Sequence, residues 1–266
     1  MQRRDFKEWM PPKVWDFLRR RFGGVRCTNE WPKAEVGGWS SAATEAGKVN
    51  SDGLRRMIEA RAIGFLPSEE PDCWLHEDFS IHTRILQFAV VVARLSAGRE
   101  ELSILDFGGA FGTHFFAIRR LLPWLHLDYT VCDLSEFCVI GKKLTKEVRF
   151  VNNISQMERS VQLVYASSSC EYVKDWRSEI ESLCKASTEG VFVTRTPFVF
   201  HSPSFATIQK AYGTELPGWI FNFDEFVEEF SRHHMVVKEI FVNGRGIAVW
   251  GEPEQNIHLG ILFERK

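Results

Sequence analysis

Ser103-Ile-Leu-Asp-Phe-Gly-Gly-Ala-Phe-Gly-Thr113 runs from an apolar stretch through Asp106 into a glycine-rich turn, and Tyr129-Thr-Val-Cys-Asp133 ends a second apolar stretch in another acid. Between them, residues 113–122 carry a helical pattern that stops before Pro123. This is a β-turn-α-β unit with an acid about twenty positions beyond the turn, the layout of a nucleoside-binding site. Glycines at 108, 109 and 112 let the backbone take positive φ and approach a ligand closely. Asp133 can accept two hydrogen bonds from the vicinal hydroxyls of a ribose. The spacing departs from the dinucleotide fingerprint G-x-G-x-x-G: counted from Gly108, the third position is Ala110 and the sixth is Thr113. The chain reads D-x-G-x-A-x-G instead. A pyrophosphate needs a helix N-terminus as its anion site. A ligand without phosphates, but with an amino-acid tail and a ribose, needs only the close turn and the acid. The plain alternative is a structural glycine turn in some other α/β protein.

The alternation continues outward from this unit. Strands are expected at 103–107, 127–132, 149–151, 163–166 and 191–194, with a helix capped by Ser135 and running to Lys146, and another over 176–184. The tract 197–218 holds three prolines and scattered polar residues, and reads as an insertion over the carboxyl edge of the sheet. A helix over 224–233 and late strands near 236–242, 247–250 and 257–263 follow. Residues 1 to about 100 lack this alternation and read as helices and loops, with helices over 13–22, 53–63 and 80–95. The expected organisation is a helical N-terminal cap, 1–100, and an α/β domain, 101–266.

Composition sets the class. Hydrophobic content of 44% and charged content of 26% belong to a soluble globular chain. A formal net charge of -2 leaves no whole-chain electrostatic case for nucleic acid. The cysteines at 27, 73, 132, 138, 170 and 184 form no C-x-x-C pair and read as reduced core thiols of a cytosolic protein. The charged N-terminus lacks the apolar region of a signal peptide. No apolar run reaches the ~18 residues of a membrane span. The run 88–95 is shorter and reads as a buried helix.

The motif with Asp133 resembles motif I of the class I S-adenosylmethionine-dependent methyltransferases, usually D/E-x-G-x-G-x-G, with Ala110 replacing the middle glycine. Ser40-Ser-Ala-Ala-Thr-Glu-Ala-Gly47, Asp106-Phe-Gly-Gly109, Val164-Tyr-Ala-Ser-Ser-Ser-Cys-Glu-Tyr172, Thr194-Arg-Thr-Pro-Phe198 and Gly260-Ile-Leu-Phe-Glu-Arg265 stand in the order seen in one family. That family is the methyltransferases often encoded in bacterial surface-polysaccharide clusters, and the similarity runs from about Trp39 onward. The family usually has Glu in place of Asp133, which keeps the ribose acceptor, and often Leu-Gln-Tyr in place of Cys170-Glu-Tyr172. The resemblance implies a Rossmann-like, seven-stranded class I methyltransferase sheet with its last strand antiparallel. It implies S-adenosyl-L-methionine as cofactor and a hydroxyl of a sugar, nucleotide-sugar or glycan as acceptor. Expected cofactor contacts are Asp106, Gly108, Gly109, Ala110, Phe111, Gly112, Asp133, Leu134, Asn153 and Ser167. At Asn152-Asn153 class I enzymes often carry an Asp that bonds the adenine amino group, and an Asn carbonyl can serve instead.

Ligands of such sheets bind beyond the carboxyl ends of the strands. Acceptor chemistry is therefore sought after 163–166 and 191–194. Small residues Ser167 to Ser169 give room for an approaching ligand or form a plain loop. The N/D-P-P-Y motif is missing here, which disfavours amino N-methyl transfer of that type. Glu171 reads first as a surface residue of the next helical turn and second, with Tyr172, as a proton-transfer candidate. Arg195 ends a buried strand, where its fork suits a carboxylate or phosphate of an anionic sugar nucleotide or uronic acid. The competing reading is an ion pair with an internal acid. His201 titrates near neutrality and is the favoured general base, set against an ordinary loop histidine. Gln209 and Tyr212 line an acceptor pocket or pack the inserted tract. His233-His234 lacks a third ligand, so no metal site is expected.

Arg3, Arg4, Lys7, Lys13, Arg19, Arg20, Arg21 and Arg26 surround a helical face of Trp15, Leu18 and Phe22. A basic amphipathic helix can lie on an anionic membrane or pack on its own domain. The expected location is the cytoplasm, with the inner membrane face as the place for such a contact. Expected partners are a small-molecule or glycan acceptor and no nucleic acid. Two rival functions remain. An NAD-linked sugar oxidoreductase is opposed by the turn spacing. A non-catalytic, methyltransferase-like binding protein is opposed by the intact Asp106, Gly108, Gly112 and Asp133.

Overall fold

A computed structural model describes residues 30–35, 39, 79–211, 214–246, 249 and 253–266. The helices expected over 13–22 and 53–63, the basic N-terminal face, the segment 40–47 and Tyr212 lie outside the described residues. The elements are β1 (Glu30–Glu35), α1 (Phe79–Leu95), β2 (Glu101–Phe107), α2 (Thr113–Leu121), β3 (His126–Cys132), α3 (Ser135–Leu144), β4 (Arg149–Val151), β5 (Val161–Ser167), α4 (Trp176–Ala186), β6 (Ser187–Val199), β7 (Phe205–Ala211), β8 (Thr214–Asn222), α5 (Phe223–Arg232), β9 (Met235–Arg245) and β10 (Ile257–Arg265).

Strands β4, β3, β2, β5 and β6 lie side by side in that order, all parallel. β10 pairs antiparallel with β6, and β9 antiparallel with β10. This is the Rossmann-like methyltransferase sheet that the sequence predicts, with its last strand reversed. Both faces are covered, which is why the strands read as nearly continuous apolar runs. On one face Ile104, Tyr129, Leu163, Tyr165, Phe192 and Leu262 pack with Phe88 of α1 and Phe115 of α2. On the other, Leu105, Val164, Val193, Ile261 and Phe263 pack with Trp176 of α4 and Phe226 and Phe230 of α5. The Phe230 and Phe263 rings stack at 3.8 Å, both fully buried. Each such ring contributes about 1.5–3 kcal/mol of burial. The four described cysteines, at 132, 138, 170 and 184, are buried and unpaired. Among the described residues no helix is long and apolar enough to cross a membrane.

The structure corrects three expectations. The tract 197–218, read as an insertion of prolines and scattered polar residues, is built of strands: β7 and β8 form an antiparallel hairpin, and β1 pairs with the far side of β7. The stretch 30–35, read as helix and loop, is therefore a strand. β8 meets the main sheet through only two parallel pairs, Phe198 with Phe221 and Val199 with Asn222. At Pro217 the described partner of β8 is β7 alone, an edge position that tolerates a missing N–H. Third, Ser135 does not cap α3. The N-cap is Leu134 without a side-chain bond, and Asp133 Oδ1 takes the Leu134 N–H at that helix end.

At α5 the cap is Asn222, whose side chain accepts from Glu225 N at 3.0 Å and donates to Ser202 O at 2.9 Å. It thus ties the helix start to the loop after β6. Asn222→Ala should lower stability by about 1–2 kcal/mol, read as a shift in urea midpoint with unchanged slope.

Candidate active site

The glycine turn sits at the carboxyl end of β2, with left-handed φ at Gly108 (74°), Ala110 (49°) and Gly112 (78°). Gly108 N donates to Cys132 O at 2.8 Å, tying the turn to β3. A Cβ on Gly108 would fall 2.5 Å from Ser169 Cβ, and Ser169 Oγ donates to Phe107 O at 2.9 Å. The loops after β2 and β5 are therefore in direct contact. Asp133 closes the turn from the β3 side. Its Oδ2 accepts from Ala110 N and its Oδ1 from Leu134 N, each at 2.7 Å. Burial pushes the Asp133 carboxyl up to about 6, against the pull of those two N–H donors. Each oxygen keeps a lone pair for a ligand hydroxyl. Leu134, beside it, is 61% exposed and offers an apolar surface. A carboxylate with spare acceptor capacity, an apolar side chain next to it and a close backbone turn fit a ribose, a purine face and an amino-acid tail.

Asp106 lies beneath the turn. It is fully buried, and its Oδ2 accepts from the Tyr129 hydroxyl at 2.8 Å and meets His114 Nδ1 at 2.9 Å. Its Oδ1 has no hydrogen-bond partner among the described residues. A Cβ on Gly109 would stand 2.4 Å from this carboxylate, so Asp106 backs the turn and positions it. The Phe111 side chain packs edge-on against Phe137, with centroids 5.7 Å apart, which leaves its backbone along the turn. Asn153 uses its Oδ1 to cap the short 3-10 turn Ile154–Gln156, accepting from Ser155 N at 2.8 Å. Asn152 donates to Ser135 Oγ at 2.9 Å. Ser167 ends β5, half-buried.

The ends of β5 and β6 carry two non-glycine residues in left-handed backbone, Ser168 (φ 53°) and Arg195 (φ 57°). They are neighbours: Ser168 N donates to Thr194 O at 2.9 Å. Arg195 belongs to a β-bulge, since Thr194 and Arg195 together oppose Gly260 where the β6–β10 register shifts. A matching shift between β10 and β9 leaves Asn243 as the extra residue there. Asn243 Oδ1 reaches across β10 to accept from Arg195 N at 3.2 Å. Gly260 makes room for this, because a Cβ there would come within 3.3 Å of Asn243 Oδ1. Bulges of this kind re-aim a side chain beside a site.

Glu171 is not a surface residue. It lies in the 3-10 turn Cys170–Tyr172, is 2% exposed, and accepts from Ser168 Oγ at 2.7 Å. Burial pushes its carboxyl up to about 7, while the Ser168 bond, its own N–H and the Arg195 charge act the other way. The Tyr172 hydroxyl donates to Gln209 Oε1 on β7, which ties the hairpin to this turn. His258 of β10, paired with Pro197, is held down to about 4 by burial and then by the Arg195 charge. It is neutral near pH 7.

His201 follows the end of β6 by two residues. It is exposed on the loop after β6, and its backbone N–H donates to Glu254 Oε2 at 2.8 Å. Glu254 also takes the N–H groups of Phe200 at 2.9 Å and Ser202 at 3.0 Å. The structure thus brings Glu171, Tyr172 and Arg195 to one sheet edge and leaves His201 on a carboxylate-held loop. Sequence reasoning missed His258, Asn243 and His114. His114 lies in the first turn of α2, beside the glycine turn, but the two bulges that bring Asn243 to Arg195 leave no local pattern.

No family model matches the sequence, and no curated protein matches it. Solved structures are similar. Magnesium protoporphyrin IX methyltransferase from Synechocystis with bound SAH aligns over 85% of this chain and 99% of that one, at 8% identity and TM-score 0.55. The same enzyme with bound SAM aligns over 88% and 100%, at 11% identity and TM-score 0.50. The 1,6-didemethyltoxoflavin-N1-methyltransferase of Burkholderia thailandensis aligns over 90% and 95%, at 14% identity and TM-score 0.50. At these identities the likeness is one of architecture, and the described chain has the fold of the S-adenosylmethionine-dependent methyltransferases.

Proposed function

We propose that this chain is an S-adenosylmethionine-dependent methyltransferase. The observation that carries the reading is the glycine turn closed by Asp133, which keeps two carboxylate oxygens available at the carboxyl edge of β2 and β3. The bound SAH and SAM of the structurally similar enzymes support it. Asp133 would hold the ribose hydroxyls, Leu134 would flank the purine, and the turn backbone at 108–112 would run along the amino-acid tail. When bound, the cofactor supplies a methyl group on a positively charged sulfonium. The chain must then align an acceptor in line with that methyl and receive a proton from it.

The acceptor we propose is a hydroxyl of a sugar, nucleotide-sugar or glycan in surface-polysaccharide synthesis. That choice rests on the family resemblance of the segments 164–172, 194–198 and 260–265. It would sit beyond the ends of β5 and β6, under the β7–β8 hairpin. A cytoplasmic setting follows from the donor, and peripheral membrane contact through the basic N-terminal segment belongs to the same proposal.

Calorimetry with S-adenosylmethionine, S-adenosylhomocysteine and NAD tests the cofactor assignment. Both nucleosides should bind, between low-micromolar and sub-millimolar affinity, and NAD should not. Binding of NAD with neither nucleoside would sink the assignment.

A further inference from the structure

Resting on the methyl-transfer reading above, we propose that Glu171 takes the proton from the acceptor hydroxyl. Glu171 is 2% exposed, yet its Oε2 has no hydrogen-bond partner among the described residues. Ser168 fixes the other oxygen, Oε1, at 2.7 Å. An oriented carboxylate with one oxygen unsatisfied is costly unless something arrives to use it. The backbone around it is held in the same way. Ser168, which orients Glu171, and Arg195, whose charge acts on it, both occupy left-handed conformations at adjacent strand ends. Two strained non-glycine residues side by side persist only where the surroundings over-determine them, and such strain clusters at functional sites. The Asn243 bond to Arg195 N supplies that restraint on the β6 side.

The acceptor oxygen forms the new C–O bond as the C–S bond breaks, and the electron pair of that bond stays on sulfur. The hydroxyl proton passes to Glu171 Oε2 and from there to water. His258, another titratable group at this edge, is held near 4 by burial and by Arg195, so it is too weak a base. Few groups among the described residues act on Glu171. They are Ser168 from the loop after β5, Arg195 from β6, and the Cys170 thiol in its own turn, itself near Glu179 of α4. β8, packed on this turn, brings the uncharged Trp219, whose indole N–H donates to Val173 O.

A buried carboxylate with one oxygen uncompensated and one with both compensated predict opposite results. The folded carboxyl holds its proton up to about 7, against an ordinary value of 4.5. Its ionisation therefore removes stability as pH rises from about 4.5 to about 7, and the loss is complete above that window. Glu171→Gln should melt about 5 °C higher than wild type at pH 8 and no higher at pH 4.5. A carboxylate whose charge a partner compensates would make this variant melt lower at pH 8. In the full chain, the Glu171 side-chain carboxyl carbon, assigned in 13C spectra by its loss in Glu171→Gln, should titrate near 7. S-adenosylhomocysteine should bind wild type and Glu171→Gln within about two-fold. With UDP-glucuronic acid and UDP-glucose as trial acceptors, any single-turnover methyl transfer by wild type should fall about 10²–10⁴-fold in Glu171→Gln. A midpoint below 5, a lower melting temperature at pH 8, or a retained single-turnover rate would overturn the role of Glu171. Failure of S-adenosylhomocysteine to bind wild type would instead overturn the cofactor reading.

Discussion

Asp133→Ala should weaken S-adenosylhomocysteine about ten- to a hundred-fold and also lower the stability of the free chain. The first effect follows from losing a carboxylate that accepts charge-assisted hydrogen bonds, worth about 1.5–3 kcal/mol. The second follows from the structure. A reading of Asp133 as a side chain facing only a solvated pocket predicts no effect on folding. The carboxylate instead accepts from Ala110 N and Leu134 N, both at 2.7 Å. Removing it leaves two backbone donors of the turn and of α3 to weaker partners, at about 1–2 kcal/mol. Asp133→Asn separates the two effects, since its carbonyl can serve one backbone donor but carries no charge for a ribose. The pH dependence has a definite sign. A carboxyl raised to about 6 is protonated below that value, so nucleoside affinity should fall as pH drops from 7 to 5. In Asp133→Asn that slope should vanish. Calorimetry at the two pH values reads both, and a wild-type affinity flat across that range would show that Asp133 does not hold the ligand.

Gly108→Ala should cost about 2–5 kcal/mol of stability and reduce nucleoside binding more than a hundred-fold. Two contributions add. An alanine at φ +74° carries about 1–2 kcal/mol of left-handed strain. Its Cβ would also stand 2.5 Å from Ser169 Cβ, where no side chain can fit without moving the loop after β5. Overpacking of that kind costs about 1–3 kcal/mol. Binding suffers more than folding because relief must come from the turn or from Ser169, and both shape the cofactor surface. Gly98→Ala is the control: its φ is +75°, but a Cβ there meets nothing within 4 Å. It should show the backbone strain alone, with cofactor affinity unchanged. Equal melting temperatures for the two variants would mean that the Ser169 contact relaxes freely.

The parts of this chain that were legible share one property: their signal is local. Ile104-Leu105 ahead of Asp106, the glycines after it, and Asp133 at the end of the next apolar run each carry their meaning within a few residues. A buried parallel sheet makes such runs apolar on both faces, so strand existence was plain even where the ends were not. β6 is the exception in length. Its 13 residues continue through Arg195 and Pro197, because a bulge interrupts the apolar phase without ending the strand. The β7–β8 hairpin was hidden for a related reason. Pro203, Pro217 and Gly218 read as breakers, yet Pro217 pairs with Ile208 and Gly218 with Thr207 inside the ladder. At the candidate site the burial of Glu171 depends on β8 and β6 folding over its turn. Nothing in Cys170-Glu-Tyr172 announces that. His258 lies 63 positions beyond Arg195 in the sequence, and only the antiparallel return of β10 makes them neighbours.

The two-pair seam between β8 and β6 has a consequence for how such a protein diversifies. Phe198 with Phe221 and Val199 with Asn222 are the strand pairings between the hairpin and the seven-stranded sheet. Side-chain ties add to these pairings: Tyr172 to Gln209 and Trp219 to Val173 at the turn after β5, and Ser204 to Glu225 at α5. A descendant that lengthens, shortens or replaces residues 200–220 would keep its donor half intact as long as the seam pairs survive. Selection for a new acceptor could then act on a graft of some twenty residues rather than on the whole chain. Exchanging this hairpin between relatives, with both seam pairs preserved, is the natural route to changing what the protein modifies.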